Sequence, residues 1–168
     1  MKKIQLLILL LGIALINMSA CSSGDDEFRE DQTNENQQNE ESEMEGNNIM
    51  NIKVGNTVLA ATLVDNSSTA ALKEMLKDSP LTIEMHDYGD MEKVGPIGAN
   101  LPRNDEQITT VPGDLILYQG NSLVIYYDTN SWNFTRLGKI NDVTQEELKE
   151  TLGNGDVTVT LELAGTDQ

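Results

Sequence analysis

The sequence holds one cysteine, one histidine and eleven basic residues against 28 acidic ones in 168 positions. Each shortage removes a class of chemistry. With Cys21 alone there is no internal disulfide framework. With His86 as the single imidazole, a Ser-His-Asp or Cys-His hydrolase would have to be built on that one residue, and zinc would lack its usual ligands. Ser122 sits near a hairpin turn, without the strand-to-helix elbow that presents a nucleophilic serine. Asp128-Thr129-Asn130 starts like a calcium loop, but Trp132 takes the next expected ligand position and no glycine follows it. No Gly-rich phosphate loop is present. No metal or other cofactor is therefore expected. The net charge of −17 repels a phosphate backbone, so nucleic acid is not an expected partner.

That charge is uneven. Residues 1–20 carry Lys2 and Lys3 and no acid, residues 22–48 carry ten acids against Arg29 alone, and residues 49–168 carry 18 acids against 8 bases. The three zones differ in hydropathy as well. Residues 4–16 are apolar except for Gln5, about the length of a signal core and short of the roughly 20 residues a membrane span needs. Small residues follow, and then the one cysteine: Met18-Ser19-Ala20-Cys21. A basic start, an apolar core and a small-residue cut predict a secretory signal over residues 1–20.

The four residues ending at Cys21 resemble the lipobox of bacterial lipoproteins, with Ser19 and Ala20 fitting well and Met18 where leucine is commonest. The resemblance implies cleavage before Cys21 and a diacylglyceryl thioether, with palmitate-like chains, on its sulfur. At about 0.8 kcal/mol per buried methylene, one chain holds marginally and two hold stably. An ordinary cleaved signal with an incidental cysteine and an uncleaved anchor helix are the alternatives. Residues 22–48 have almost no apolar side chain beyond Phe28 and Met44, and such a segment cannot offset the entropy of ordering its backbone. A disordered acidic tether is expected there, with a reach on the order of 30 Å as a flexible coil. Gly24-Asp25-Asp26-Glu27 could also serve as a sorting signal. The expected address is a cell membrane or outer membrane, with the remainder outside the cytoplasm; Ser22 after Cys21 leans toward an outer surface.

From Ile49 the pattern alternates. Met50, Ile52 and Val54 share one strand face, and Gly55-Asn56 turns the chain into a second strand over 57–64. Asn66-Ser67-Ser68-Thr69 offers a helix cap ahead of the stripe Ala71, Leu72, Met75 and Leu76, which Ser79-Pro80 stops. Leu81, Ile83 and Met85 alternate with Thr82, Glu84 and His86 in a third strand, which puts His86 on the face opposite Met85. Residues 89–112 read as short strands joined by loops. Strands follow over 114–118 and 123–127, joined by a Gln119-Gly120-Asn121-Ser122 hairpin, and another over 134–140. Two overlapping capping boxes, Asp142 with Gln145 and Thr144 with Glu147, start a helix that ends at Gly153. Val157, Val159, Leu161 and Leu163 make the last strand. So many strands in one domain over 49–168 close most easily as a barrel, capped by the two helices.

This arrangement and several local runs resemble a family of bacterial cyclophilin-like domains. The runs are Leu81-Thr82-Ile83-Glu84-Met85 through Asp87-Tyr88, Glu92-Lys93, Leu101-Pro102-Arg103, Pro112-Gly113-Asp114-Leu115 with Tyr118, Asn121-Ser122-Leu123, and Ser131-Trp132 with Thr135-Arg136-Leu137-Gly138-Lys139-Ile140. The resemblance implies a closed eight-stranded barrel like that of the prolyl isomerases. Those enzymes hold the proline ring in an apolar pocket and place an arginine near the prolyl nitrogen, in a Phe-His-Arg run that this chain lacks. Arg103 and Arg136 are the nearest candidates, with Tyr126, Tyr127, Trp132 and Phe134 as walls of a ligand groove. Taken singly, Arg103 reads as a solvated or structural arginine, and Trp132 as a capping or core residue. The expected function is a monomeric, lipid-anchored binding module for an exported peptide or a small molecule. A weak prolyl isomerase and a purely structural envelope protein are the alternatives.

Overall fold

The structure is a computed structural model that describes residues 48–165; the expected leader, Cys21 and all of the tether but Asn48 lie outside the described residues. The chain runs β1 (Ile49–Val54), β2 (Thr57–Leu63), α1 (Ser67–Asp78), β3 (Leu81–Tyr88), β4 (Glu92–Pro96), β5 (Glu106–Thr109), β6 (Asp114–Tyr118), β7 (Ser122–Tyr126), β8 (Ser131–Ile140), α2 (Gln145–Leu152) and β9 (Val157–Leu163). Alternation in the sequence becomes sidedness in space. Met50, Ile52, Ile83, Met85, Leu115, Leu117, Leu123, Ile125, Val159 and Leu161 form one buried interior cluster, and their odd-numbered or even-numbered neighbours face out.

Hydrogen-bonded neighbours follow the order β2-β1-β9-β3-β4-β7-β6-β8, and β8 returns to β2 through Ala61↔Ile140, Thr62↔Lys139 and Leu63↔Gly138. Eight antiparallel strands thus close the expected barrel and leave the ring without a free edge. The stretch over 89–112 supplies two of the strands. β4 belongs to the ring, whereas β5 lies outside it and pairs with the first half of β8, Glu106↔Phe134 through Thr109↔Ser131. β8 serves three partners because it is ten residues long and shifts register where β6 passes from Leu115 to Ile116. At its seam with β2, a side chain at Gly138 would run into the Thr62 carbonyl oxygen and the Leu63 backbone, so glycine permits the closure.

Both helices begin as the sequence suggests. Asn66 caps α1, its side chain accepting from the Thr69 N–H while Thr69 Oγ1 accepts from the Asn66 N–H at 3.1 Å. Of the two overlapping boxes before α2, Thr144 with Glu147 forms; Asp142 instead adopts a left-handed turn at φ 48°. Each cap is worth about 1 kcal/mol. Leu72 and Leu76 of α1, and Leu148 and Leu152 of α2, add to the interior cluster. The β6–β7 hairpin has positive φ at both Gln119 and Gly120, the sense that matches strand twist.

A pocket on the outer wall of the barrel

A second apolar cluster lies on the other side of the sheet. Ile108, Ile116, Val124, Tyr126 and Phe134 are buried together, with Met91 and Val94 packed against them. Val94, Ile116, Val124, Tyr126 and Phe134 are outward positions of β4, β6, β7 and β8, and β5 adds Ile108, which stands opposite Trp132. An outward-facing cluster of this kind is the base of a groove.

The cavity above it measures about 370 Å³, within the roughly 300–1,000 Å³ of small-molecule sites. Strand register builds it. Glu92 on β4 is paired with Tyr88 on β3 and with Tyr126 on β7, so those three side chains stand in one row on the outer face. Val94 is two residues further along β4 on the same face. Tyr118 from β6 meets Phe134 edge-on, ring centres 6.3 Å apart, and Phe134 tilts against Tyr126 at 5.7 Å. Trp132 and Asn130 complete the wall. The chain is poor in aromatics, at 4%. Yet five of the six aromatic residues among the described residues line this one cavity; the sixth, Tyr127, faces the interior cluster.

The polar groups at the base are few. Asn130 Nδ2 donates to the Tyr126 hydroxyl at 3.2 Å, and that hydroxyl is also the polar neighbour of the Glu92 carboxylate. Burial, with the acidic Glu92 beside it, pushes the Tyr126 phenol up from its ordinary value. Glu92 is only 8% exposed, and its Oε2 is buried with no hydrogen-bond partner. Burial raises its carboxyl above the ordinary 4.5, opposed in part by the Tyr126 hydroxyl. A desolvated titratable group in an aromatic cavity marks a candidate functional site on physical grounds.

Three of the six residues expected to line a groove are here: Tyr126 and Phe134 at the base, Trp132 at the rim. Trp132 is 62% exposed, so it is neither a cap nor a core residue. Arg103 and Arg136 are not among the lining residues. Arg103 pairs with Asp105, whose carboxyl it holds below the ordinary range with help from Thr135 Oγ1 at 2.5 Å. Arg136 Nη1 lies 2.6 Å from Asp114 Oδ1, while Asp114 Oδ2 accepts from the Val111 N–H. Both arginines therefore serve local carboxylates. Tyr127 is turned inward, its hydroxyl donating to Asp87 Oδ1 at 2.7 Å. His86 lies on the surface beside Asp156, as its strand position implies. Among the described residues there is no group of three or more His, Cys, Asp or Glu side chains able to hold a metal ion.

Tyr88, Glu92, Val94, Tyr118 and Asn130 are the lining residues that sequence reasoning missed. A signal did exist for three of them: Tyr88, Glu92 and Tyr118 belong to the runs that carry the family resemblance.

No curated protein matches the chain. Two solved structures share its architecture. The solution structure of the hypothetical protein AF2241 from Archaeoglobus fulgidus superposes with a TM-score of 0.52 at 13% identity, covering 69% of this chain and 94% of that one. McbB, solved in complex with tryptophan, superposes with a TM-score of 0.52 at 16% identity, over 71% of this chain and 46% of McbB, so the chain spans about half the length of that protein. At such identities the likeness is one of fold. The model of the cyclophilin-like family matches residues 52–162, nearly the whole barrel, and the chain belongs to that family.

Proposed function

We propose that the protein is a lipid-anchored binding module of the cell envelope, acting outside the cytoplasm as a monomer, whose outer-wall pocket takes a small molecule or a side chain of an exported peptide. The observation that carries this reading is the pocket itself: a cavity of about 370 Å³ that gathers five of the six described aromatic rings around one desolvated carboxylate. Aromatic surface facing outward is exposed apolar area that a barrel does not need for its own core.

No nucleophile-base pair is placed there, and neither arginine lines the cavity, so the chemistry favours holding a ligand over transforming it. Ligand binding should change the emission of Trp132, the single tryptophan of the chain. Titration of the purified full chain with small aromatic and apolar probes tests this. Tryptophan, which McbB holds, is a first probe by calorimetry. A response to none of them would sink the binding reading.

Weak prolyl isomerisation is the second reading, favoured by an apolar outer wall able to take a proline ring. A protease-coupled prolyl-peptide assay separates the two: background turnover is expected, and clear turnover abolished by Trp132→Ala, at the rim of the pocket, would select the isomerase. The anchor is tested separately, by mass spectrometry of the Cys21 peptide from a membrane fraction. A diacylglyceryl thioether is expected, and an unmodified thiol would remove the lipid from the account.

A further inference from the structure

We propose that the outer-wall pocket selects an organic ammonium ion, held between its aromatic rings and the Glu92 carboxylate; this deepens the pocket reading above and rests on it. The first observation is Glu92 itself. It lines the cavity, is more than nine-tenths buried, and keeps one oxygen with no partner. No cation among the described residues is paired with it. Lys93, its neighbour on β4, faces the interior, where Nζ donates to Asp87 Oδ2 at 2.6 Å and to the Gly155 carbonyl at 2.7 Å. Arg103 and Arg136 are engaged by Asp105 and Asp114. A carboxylate withdrawn from water without a counter-ion is costly, and an incoming cation supplies what the protein leaves out.

The second observation is the set of rings. Tyr88, Tyr118, Tyr126, Trp132 and Phe134 come from four strands and meet on one cavity. The negative faces of aromatic rings attract cations, most strongly tryptophan, and alkylated ammonium ions lose little hydration on entering such a cage. A neutral apolar ligand would use the rings but gain nothing from Glu92. An anion would be repelled by Glu92 and by a domain that carries 18 acids against 8 bases over residues 49–168. A cation with apolar substituents uses every group present, the rings by their negative faces and Glu92 by its charge. Its source is either a free small molecule or a lysine-type side chain of a peptide, and the chemistry is shared.

The test uses the full chain in detergent and two probes of one shape: choline, and 3,3-dimethyl-1-butanol, in which carbon replaces the charged nitrogen. Trp132 emission reads both. Choline is expected to bind about tenfold or more tightly than the alcohol. Glu92→Gln should weaken choline by about tenfold and leave the alcohol within about twofold. Tyr88→Leu, at an exposed strand position, should weaken choline with the fold intact. A blocked Ala-trimethyllysine-Ala peptide that binds more tightly than choline would assign the cation to a peptide side chain; weaker binding would assign it to a free molecule. Equal binding of the two probes to the unaltered protein would overturn the ammonium inference and leave the pocket reading standing. Binding of no probe would overturn both.

Discussion

Glu92 and Lys93 are neighbours on β4, both buried and of opposite charge, and they meet opposite circumstances. Lys93 points into the barrel and is fully engaged: by Asp87, by the Gly155 carbonyl, and by the ring of Tyr127 5.9 Å away. Glu92 points outward into the groove and keeps an oxygen with no partner. The interior has been completed, and the outer wall has been left incomplete where a ligand could complete it. Folding selects for satisfied buried charges, so an unsatisfied one that persists is better explained by binding than by stability.

The largest way to break this contrast is to undo the interior pair. Asp87→Ala leaves the Lys93 ammonium, 0% exposed, with a carbonyl in place of a counter-ion. Removing one partner of a buried pair costs roughly 3–5 kcal/mol, and about 3 kcal/mol is expected because Asp87 itself is partly exposed. The urea midpoint measures it. The carboxyl of Asp87 is held below its ordinary value by Lys93 first and the Tyr127 hydroxyl second. Its contribution is therefore present above the ordinary carboxylate range and is lost as pH falls through the folded value. A variant as stable as the parent would mean that the interior charge is solvated and the contrast unreal.

Next in size is Gly95→Ala, on the same strand and the same inward face as Lys93. A Cβ there would meet the Glu84 carbonyl oxygen and come within 2.7 Å of Ile83 Cγ2. Both sit on β3, and a backbone atom cannot turn aside, so a loss of about 2 kcal/mol is expected by chemical denaturation. An outward change in the same strand should be milder, since the groove has room. Near-zero cost at Gly95 would show the barrel to be as accommodating as its outer wall.

The interior was the legible part of this molecule. Period-two alternation in Met50-Asn51-Ile52, Leu81 to Met85 and Val157 to Leu163 reports a strand with one wet face and one dry face, and both helix starts announce themselves through their caps. β4 does not alternate visibly, because Glu92 and Lys93 are buried on opposite faces and only the partner strands reveal it. β5 is four residues with one buried side chain, Ile108, too short for a pattern. The pocket was harder still. Its rings sit at positions 88, 118, 126, 132 and 134, on strands far apart in the chain, and only strand register brings them together. Arg103 and Arg136 were expected in the groove by analogy, yet each is taken up by a carboxylate, Asp105 two residues away or Asp114 across a ladder.

Glu92→Gln sharpens the contrast from the other side and should have the opposite sign to Asp87→Ala. The neutral amide avoids burying a charge, so a gain of about 1 kcal/mol is expected at neutral pH. The pH course follows from the raised carboxyl. The folded state holds the proton more tightly than the unfolded one, so stability falls as pH rises from the ordinary 4.5 to the folded value and is level above it. The variant lacks that fall, and the difference between the two proteins should open over that window. The titratable groups facing Glu92 are the phenols of Tyr88, Tyr118 and Tyr126, while Lys93 and Asp87 lie on the opposite side of β4. A less stable variant would mean that Glu92 is already satisfied in the unliganded protein.

The smallest effect on stability is expected from Trp132→Ala. The indole is 62% exposed, and it stands directly opposite Ile108 in the register of β5 with β8. Such pairs are worth about 0.2–1 kcal/mol, so the unfolding midpoint should scarcely move. Ligand affinity, read by calorimetry because the fluorescent reporter is gone, should drop several-fold. That combination, a large aromatic residue dispensable for folding and needed for binding, is what separates a wall built for a ligand from one built for the core. A loss of stability well above 1 kcal/mol would place Trp132 with the structural residues, and the outer wall would then be as complete as the interior.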